Sequence, residues 1–252
     1  MNTVKLHHEL TGDPGRPVLM LASSLGTSLS MWDAQTPALS PHFRLLRVDT
    51  RGHGRSPVPP GPYTIAGLGQ DFLMLLDDLG LERVSFCGLS LGAMIGMWLA
   101  AHAPQRIGRL ALCCTSAHLP PAQGWTDRAA TVRSQGMTAV ADAVVSRWFT
   151  PAFPQTAVYK RLLENTPAEG YAGCCEAVAA MDLRPVLDRI VAPTLLVSGV
   201  DDPATPPPHQ EFIASAIHGA RLARVPGAHL ANIESASHVT TALLDHFTHG
   251  GK

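Results

Sequence analysis

Three widely separated residues, Ser90, Asp202 and His229, have the types and the chain order needed for nucleophilic acyl transfer. A free serine hydroxyl is a weak nucleophile near neutral pH. A histidine whose pKa is about 6.5 can take the serine proton and later return it to a leaving group. A buried carboxylate can fix the imidazole tautomer and stabilise the imidazolium. We therefore interpret Ser90 as the nucleophile, His229 as the base and Asp202 as the residue that orients the base.

Two other residues compete for these roles. His53 lies in a short loop between glycines and arginines, a setting that favours a structural role over that of the base. Asp201 precedes Asp202, and its side chain is expected to face away from the site. Asp202, which precedes a proline, is the preferred candidate. Both alternatives stay open from the sequence alone.

The segment around Ser90 predicts a strained turn between a strand and a helix. An apolar run from Val84 enters Gly-Leu-Ser-Leu-Gly at 88–92, and a further apolar run of helical character follows. Such a turn projects the serine hydroxyl above the sheet. Gly88 and Gly92 are expected because a Cβ there would collide with the neighbouring strand or helix.

A negative charge on a reacting carbonyl oxygen would need backbone N–H donors near Ser90. The helix that starts after Ser90 offers the N–H of Leu91. The loop at 23–27, which follows a buried strand, offers a second donor, for which Leu25 is our candidate. Ser24 and Gly26 remain alternatives for this donor.

Strands and helices alternate along the chain, which predicts a mostly parallel central sheet flanked by helices, with ligands bound beyond the carboxyl ends of the strands. The first two strands are joined by a short turn and are expected to pair antiparallel. Strands are predicted at 4–10, 17–22, 43–48, from 84 to the strained turn at Ser90, and at 109–114, 192–200 and 222–225.

A helical lid is predicted from about 116 to 186, where buried strands are absent and prolines separate amphipathic stretches. We interpret the chain as one domain, 1–252, whose core comprises 1–115 and 187–252. The lid is expected to be inserted after the sixth strand. Its helices are predicted near 126–135, 138–148, 157–165 and 170–181.

Composition argues against several classes of protein. The 252 residues are 46% hydrophobic and 15% charged with a net charge of -1, which does not favour a nucleic-acid partner. No apolar run is long enough to cross a bilayer, and the N-terminus lacks the apolar core of a signal peptide. Five cysteines without a Cys-x-x-Cys motif predict free thiols in the cytoplasm. The histidines are scattered without metal-binding spacing, so no metal is predicted.

Several segments resemble the 3-oxoadipate enol-lactonases of the α/β-hydrolase superfamily, and the resemblance covers nearly the whole chain. The Ser-Leu-Gly-Thr loop and the Arg-Trp-Phe-Thr segment of the lid are its more discriminating parts. Ala93 is a mild departure, because many relatives have a second glycine after the turn. The segments are 24–27 with 31–33, 49–56, 86–96, 147–150, 199–206 and 227–234.

The resemblance implies an α/β-hydrolase fold and cofactor-free hydrolysis of 3-oxoadipate enol-lactone to 3-oxoadipate, in the β-ketoadipate pathway of aromatic degradation. This substrate carries a carboxylate, so its pocket should contain a cation. Arg128, Arg133 and Arg147 of the lid are candidates, and Trp148 is a candidate apolar wall.

Two other classes of function stay open. One is a related hydrolase that acts on another small ester or on a carbon–carbon bond, or a cofactor-free perhydrolase. The other is a ligand-binding receptor that retains the three residues. The oligomeric state is also open.

Overall fold

A seven-stranded β-sheet forms the centre of the computed structural model, which describes residues 3–249. The strand order is β1-β3-β2-β4-β5-β6-β7, and all neighbours are parallel except β1 and β3. The mostly parallel sheet that the sequence predicts is thus confirmed. The strands are β1 (His8–Thr11), β2 (Val18–Ala22), β3 (Arg44–Val48), β4 (Val84–Leu89), β5 (Ile107–Cys113), β6 (Thr194–Gly199) and β7 (Arg221–Val225).

The central strands are almost continuously apolar because helices cover both faces of the sheet. Within β2, Leu19 to Ala22 are completely buried, and every residue of β6 is buried. The edge strands β1 and β7 are mainly half-exposed. Because β4 to β7 run parallel, the loops after β4, β6 and β7 all leave the same edge of the sheet.

The predicted pairing of the first two strands is wrong. Strand β1 pairs antiparallel with β3, with His8 opposite Val48, while β2 lies between β3 and β4 and is parallel to both. Both edges of β2 are therefore used by parallel neighbours, and the short turn before it cannot close a hairpin. Strand β1 also begins later than predicted, at His8 and not at residue 4.

Helices cover the two faces of the sheet. Thr64 caps the N-terminus of helix α2, and its side chain accepts a hydrogen bond from the Gly67 N–H at 3.0 Å. Helix α3 is buried along nearly its whole length. Outside the lid the helices are α1 (Thr36–Leu39), α2 (Ile65–Asp78), α3 (Leu91–His102), α8 (Pro207–Ala216), α9 (Ala231–Glu234) and α10 (Ala236–Leu244), with short helical turns at Leu29–Trp32, Pro104–Arg106, Arg184–Arg189 and Asp245–His249.

Four further helices lie between β5 and β6 and form the lid. Each overlaps a helical stretch predicted from the sequence. The prediction that the lid follows the sixth strand is wrong. Five strands precede it, the antiparallel β1 and the parallel strands β2 to β5. The lid helices are α4 (Ala122–Gln135), α5 (Thr138–Trp148), α6 (Thr156–Glu164) and α7 (Ala168–Ala179).

The lid packs tightly on the core at one backbone contact. A Cβ at Gly170 of α7 would lie 2.0 Å from the carbonyl oxygen of Gly52. Only glycine allows this approach.

Among the described residues, no helix has the length and the apolar character needed to cross a membrane. All five cysteines are buried free thiols.

Candidate active site

Ser90 occupies a strained backbone conformation between β4 and α3. Its φ of 53° lies in the left-handed region that non-glycine residues rarely adopt. Its N–H donates to the Cys113 carbonyl at 2.9 Å, and its own carbonyl accepts from the Thr115 hydroxyl at 2.9 Å. These bonds tie the turn to the end of β5. The side chain faces a cavity under the lid.

The glycines on either side of Ser90 are required by close packing, as predicted. A Cβ at Gly88 would lie 2.3 Å from the carbonyl carbon of Gly92, and a Cβ at Gly92 would lie 2.3 Å from the carbonyl oxygen of Ala22. The Gly92 N–H also donates to the Ser23 carbonyl at 3.1 Å. The turn is thus wedged between β2, β5 and its own helix.

His229 and Asp202 form a buried hydrogen-bonded pair. The Nδ1–H of His229 donates to Oδ2 of Asp202 at 2.8 Å, and both side chains are almost fully buried. This tautomer leaves Nε2 of His229 with a free lone pair. His229 lines the same cavity as Ser90. The structure therefore brings together a hydroxyl, an imidazole and a carboxylate from the loops after β4, β7 and β6.

Asp202 remains ionised because its loop is built to hold the charge. Burial opposes the charge, but the imidazole of His229 and hydrogen bonds from Thr205 hold the pKa of Asp202 below its ordinary value. The backbone N–H groups of Ala204 and Thr205 donate to Oδ1 at 2.8 and 3.0 Å, and the Thr205 hydroxyl donates to Oδ2 at 2.8 Å. The neighbouring Asp201 is exposed. Thr205 is not among the residues predicted from the sequence, although an aspartate followed by proline is a recognisable turn signal.

His53, the other candidate base, has both ring nitrogens engaged away from the cavity. Its Nε2 accepts from the Gly26 N–H at 2.9 Å, which requires the proton to be on Nδ1, and Nδ1–H donates to the Arg51 carbonyl at 3.2 Å. The ring is buried behind the loop at 23–27. His53 thus supports this loop.

The two predicted backbone N–H donors lie at the same cavity as Ser90. Leu25 and Leu91 both line the cavity. Among hydrogen bonds of residues 3–249, neither N–H has a protein acceptor. The N–H of Gly26, an alternative from the sequence, is taken by His53. Leu25 and Leu91 are therefore placed to donate to a ligand oxygen.

The lid contributes two arginines to the cavity, Arg128 from α4 and Arg147 from α5. The Arg128 guanidinium stacks 4.5 Å from the centre of the Trp125 ring. Burial, and then the nearby charge of Arg128, lower the pKa of Arg147. Within residues 3–249, no acidic side chain lines the cavity or pairs with either arginine. The cavity is accordingly suited to an anion.

Arg133, the third candidate cation from the sequence, does not line the cavity. Its guanidinium is bound by Glu169 and Glu176 of α7, with Nε 2.7 Å from Oε2 of Glu169. It lies on another face of α4 from Arg128, where it joins two lid helices. Its charge is therefore already neutralised.

The lid is fastened to the loop that carries His229. The Leu230 N–H donates to the carbonyl of Trp148 at 2.9 Å. The Glu234 carboxylate accepts from the Thr150 N–H at 3.1 Å and from the Ala228 N–H at 2.9 Å. One acidic side chain thus joins the end of the lid helix to the residue before His229. Trp148, whose ring lines the cavity, is held at this junction.

Metal ligation is not indicated within the residues that the structure describes. They contain no cluster of three or more histidine, cysteine, aspartate or glutamate side chains suited to a metal ion. The chemistry that the site can support on its own side chains is attack by a serine assisted by a histidine.

The chain is similar to several known proteins over nearly its whole length. A family model described as alpha/beta hydrolase fold matches residues 17–236. The 3-oxoadipate enol-lactonase 2 of Acinetobacter baylyi is 39% identical over 97% of this chain and 94% of its own length. The crystal structure of the enol-lactonase from Burkholderia xenovorans is 44% identical, with a TM-score of 0.94 over 96% of both chains. That of a hydrolase from Pseudomonas aeruginosa is 47% identical, with a TM-score of 0.94 over 96% of this chain and 94% of that one.

The protein should become less stable in acid, because His53 is buried in its neutral form and becomes protonated when the chain unfolds. Burial lowers the pKa of His53 below 6.5, with the Arg51 carbonyl and the Asp49 carboxylate opposing this. Unfolding then takes up a proton, so the free energy of unfolding should fall as the pH drops below about 6.5, by up to about 1.4 kcal/mol per pH unit. Burial also lowers the pKa of His246, to about 4, which adds to the same slope.

The variant His53→Gln should reduce this slope, because a glutamine carbonyl can accept from Gly26 but does not titrate. Urea unfolding between about pH 7 and about pH 5 measures it. His238→Gln, which removes an exposed histidine, is the matched control. If the free energy of unfolding of His53→Gln depended on pH as steeply as that of the wild type, His53 would not be the buried neutral group that causes the slope.

Proposed function

The chain belongs to the α/β-hydrolase family, and from that premise we propose that it is a serine hydrolase that opens 3-oxoadipate enol-lactone to 3-oxoadipate. The observation that carries the proposal is the 2.8 Å hydrogen bond between His229 and Asp202 beside the cavity that Ser90 faces. The two enol-lactonases similar in sequence and structure support the choice of substrate.

In the first step, Oγ of Ser90 attacks the carbonyl carbon of the lactone. Nε2 of His229 takes the serine proton, and the charge that develops on the imidazole is stabilised by Asp202. The tetrahedral intermediate collapses by breaking the bond between the carbonyl carbon and the ring oxygen. The ring oxygen leaves as an enolate that stays attached through the carbon chain. It then takes the serine proton from His229, which gives the enol and returns the imidazole to its neutral form. An enolate is a good leaving group, so this step needs little acid assistance.

In the second step, a water molecule hydrolyses the ester on Ser90. His229 takes a proton from the water, whose oxygen attacks the acyl carbon, and then returns a proton to Oγ of Ser90. The products are the free enzyme and an enol acid, whose enol tautomerises to the ketone. All atoms and charges balance without a cofactor, so we propose none.

Both tetrahedral intermediates carry a negative oxygen. We assign its two donors to the N–H groups of Leu25 and Leu91. Two observations support the assignment. Neither N–H has a protein acceptor among the described residues, and Leu91 lies in the first turn of α3. Removing one such donor typically costs 10²–10³ in rate.

The carboxylate of the substrate is assigned to the two lid arginines of the cavity. Arg128 and Arg147 are close enough for the charge of one to lower the pKa of the other, and an anion between them would relieve this repulsion. Trp148 supplies an apolar wall. We further propose that the enzyme acts in the cytoplasm, which five buried free thiols favour. Its place in the β-ketoadipate pathway is proposed from the substrate named for its enol-lactonase relatives.

Loss of the nucleophile or of the buried carboxylate should abolish turnover. Ser90→Ala and Asp202→Asn should each lower kcat by about 10⁴-fold or more, because the first removes the attacking atom and the second removes the charge that orients His229. Absorbance of the enol-lactone in the ultraviolet follows the reaction. Asp201→Asn, one position away and exposed, is the matched control and should retain full activity. Turnover of the lactone by Ser90→Ala would refute the proposal.

Neutralising a lid arginine should weaken binding of the anionic lactone but not of a neutral ester. Arg128→Gln and Arg147→Gln should raise KM for the lactone by about 10-fold to 100-fold, because each leaves the carboxylate short of one charged donor. Hydrolysis of p-nitrophenyl acetate should change little. Arg133→Gln, on the same helix but paired with glutamates, is the control. Equal losses on both substrates would exclude carboxylate recognition by these residues.

A further inference from the structure

A second cavity lies on the other side of Trp148 from Ser90. It is formed between helix α6 and the segment 26–34, and its volume is about 370 Å³, against about 60 Å³ for the cavity at Ser90. The larger value falls within the range of about 300–1,000 Å³ that is typical of small-molecule sites. Of all the residues that line these two cavities, Trp148 is the one common to both.

The wall between the cavities is formed at Gly26 and Trp148. Gly26 has a φ of +79°, and a Cβ there would come within 2.5 Å of Leu163, 3.2 Å of Tyr171 and 3.5 Å of Trp148. Tyr171 and Leu25 face the inner cavity, while Gly26 faces the outer one. The side chains of Leu163, Tyr171 and Trp148 pack over the space that the glycine leaves open, and of these three only Trp148 lines both cavities.

The two cavities differ in charge. The inner one contains Arg128 and Arg147 and suits an anion. The lining of the outer one includes a single charged residue, Asp33, which is paired with Arg47. The rest of the outer lining is apolar or neutral, and Val158 and Leu162 of α6 remain about half exposed at its rim. The outer cavity thus suits an uncharged chain.

We infer that Trp148 is the residue that limits substrate length, by separating the small anionic-ligand cavity at Ser90 from an outer cavity able to take a neutral acyl chain. The inference rests on the proposed serine hydrolysis. Truncating the indole would join the two spaces, so that the chain of a longer ester attached at Ser90 would extend past Gly26 toward α6. The backbone anchor of Trp148, its carbonyl bonded to the Leu230 N–H, does not depend on the side chain.

The test compares kcat/KM for p-nitrophenyl acetate, hexanoate and octanoate in the wild type and in Trp148→Ala. The ratio of octanoate to acetate should rise by about tenfold or more in the variant, since each methylene moved from water into an apolar site favours binding. Trp148→Phe, which keeps a ring, should give a smaller rise and guards against a folding defect in the alanine variant.

A variant that fills the outer cavity distinguishes two causes of a gain on octanoate. Either the acyl chain enters the outer cavity, or the inner cavity has only become larger. Leu162→Trp, on the outer side, should leave acetate hydrolysis unchanged when made alone. In the double variant with Trp148→Ala it should abolish the gain on octanoate. An octanoate-to-acetate ratio that stays at the wild-type value in both Trp148 variants, or a gain that persists in the double variant, would overturn the inference. Absence of Ser90-dependent ester hydrolysis in the wild type would instead refute the proposed function.

Discussion

The strained backbone of Ser90 is the constraint on which the rest of the site depends. A non-glycine residue at positive φ costs free energy, and it persists only where its surroundings over-determine it. Here Cys113 of β5 accepts the Ser90 N–H, Ser23 just after β2 accepts the Gly92 N–H, and neither glycine of the motif has room for a Cβ. The result is a hydroxyl aimed out of the sheet, with the first N–H of helix α3 beside it.

The parallel sheet then determines how the other groups reach Ser90. Strands β4, β6 and β7 end at the same edge, so the loops after them bring the hydroxyl, the carboxylate and the imidazole together without help from the lid. The lid adds the charge of Arg128 and Arg147 and the wall at Trp148. Glu234 joins the two parts, because its carboxylate binds both the lid backbone and the loop that carries His229. On this account the core performs the chemistry and the lid selects the substrate.

The local features of this protein could be predicted from its sequence, whereas the features that depend on distant packing could not. The turn at Ser90, the adjacent glycines and the lid helices follow from short patterns of apolar residues, glycine and proline. The pairing of β1 with β3 depends on which strand occupies the centre of the sheet. Arg128 and Arg133 are five positions apart on one helix, so they lie on different faces, and only the packing of α7 decides which of them meets the cavity. Similarly, the short loop around His53 favours a structural role, but the contact with Gly26 that engages its ring depends on distant packing.

The central claim, a covalent intermediate on Ser90, can be tested by mass spectrometry. The enzyme would be mixed with 3-oxoadipate enol-lactone, quenched in acid before the steady state and digested for peptide mapping. Opening a lactone by acyl transfer loses no atoms. The account therefore predicts that the peptide containing Ser90 gains the full mass of the lactone, and that the adduct is absent from Ser90→Ala. Rapid turnover with no adduct on Ser90, or an adduct of that mass on another residue, would contradict it.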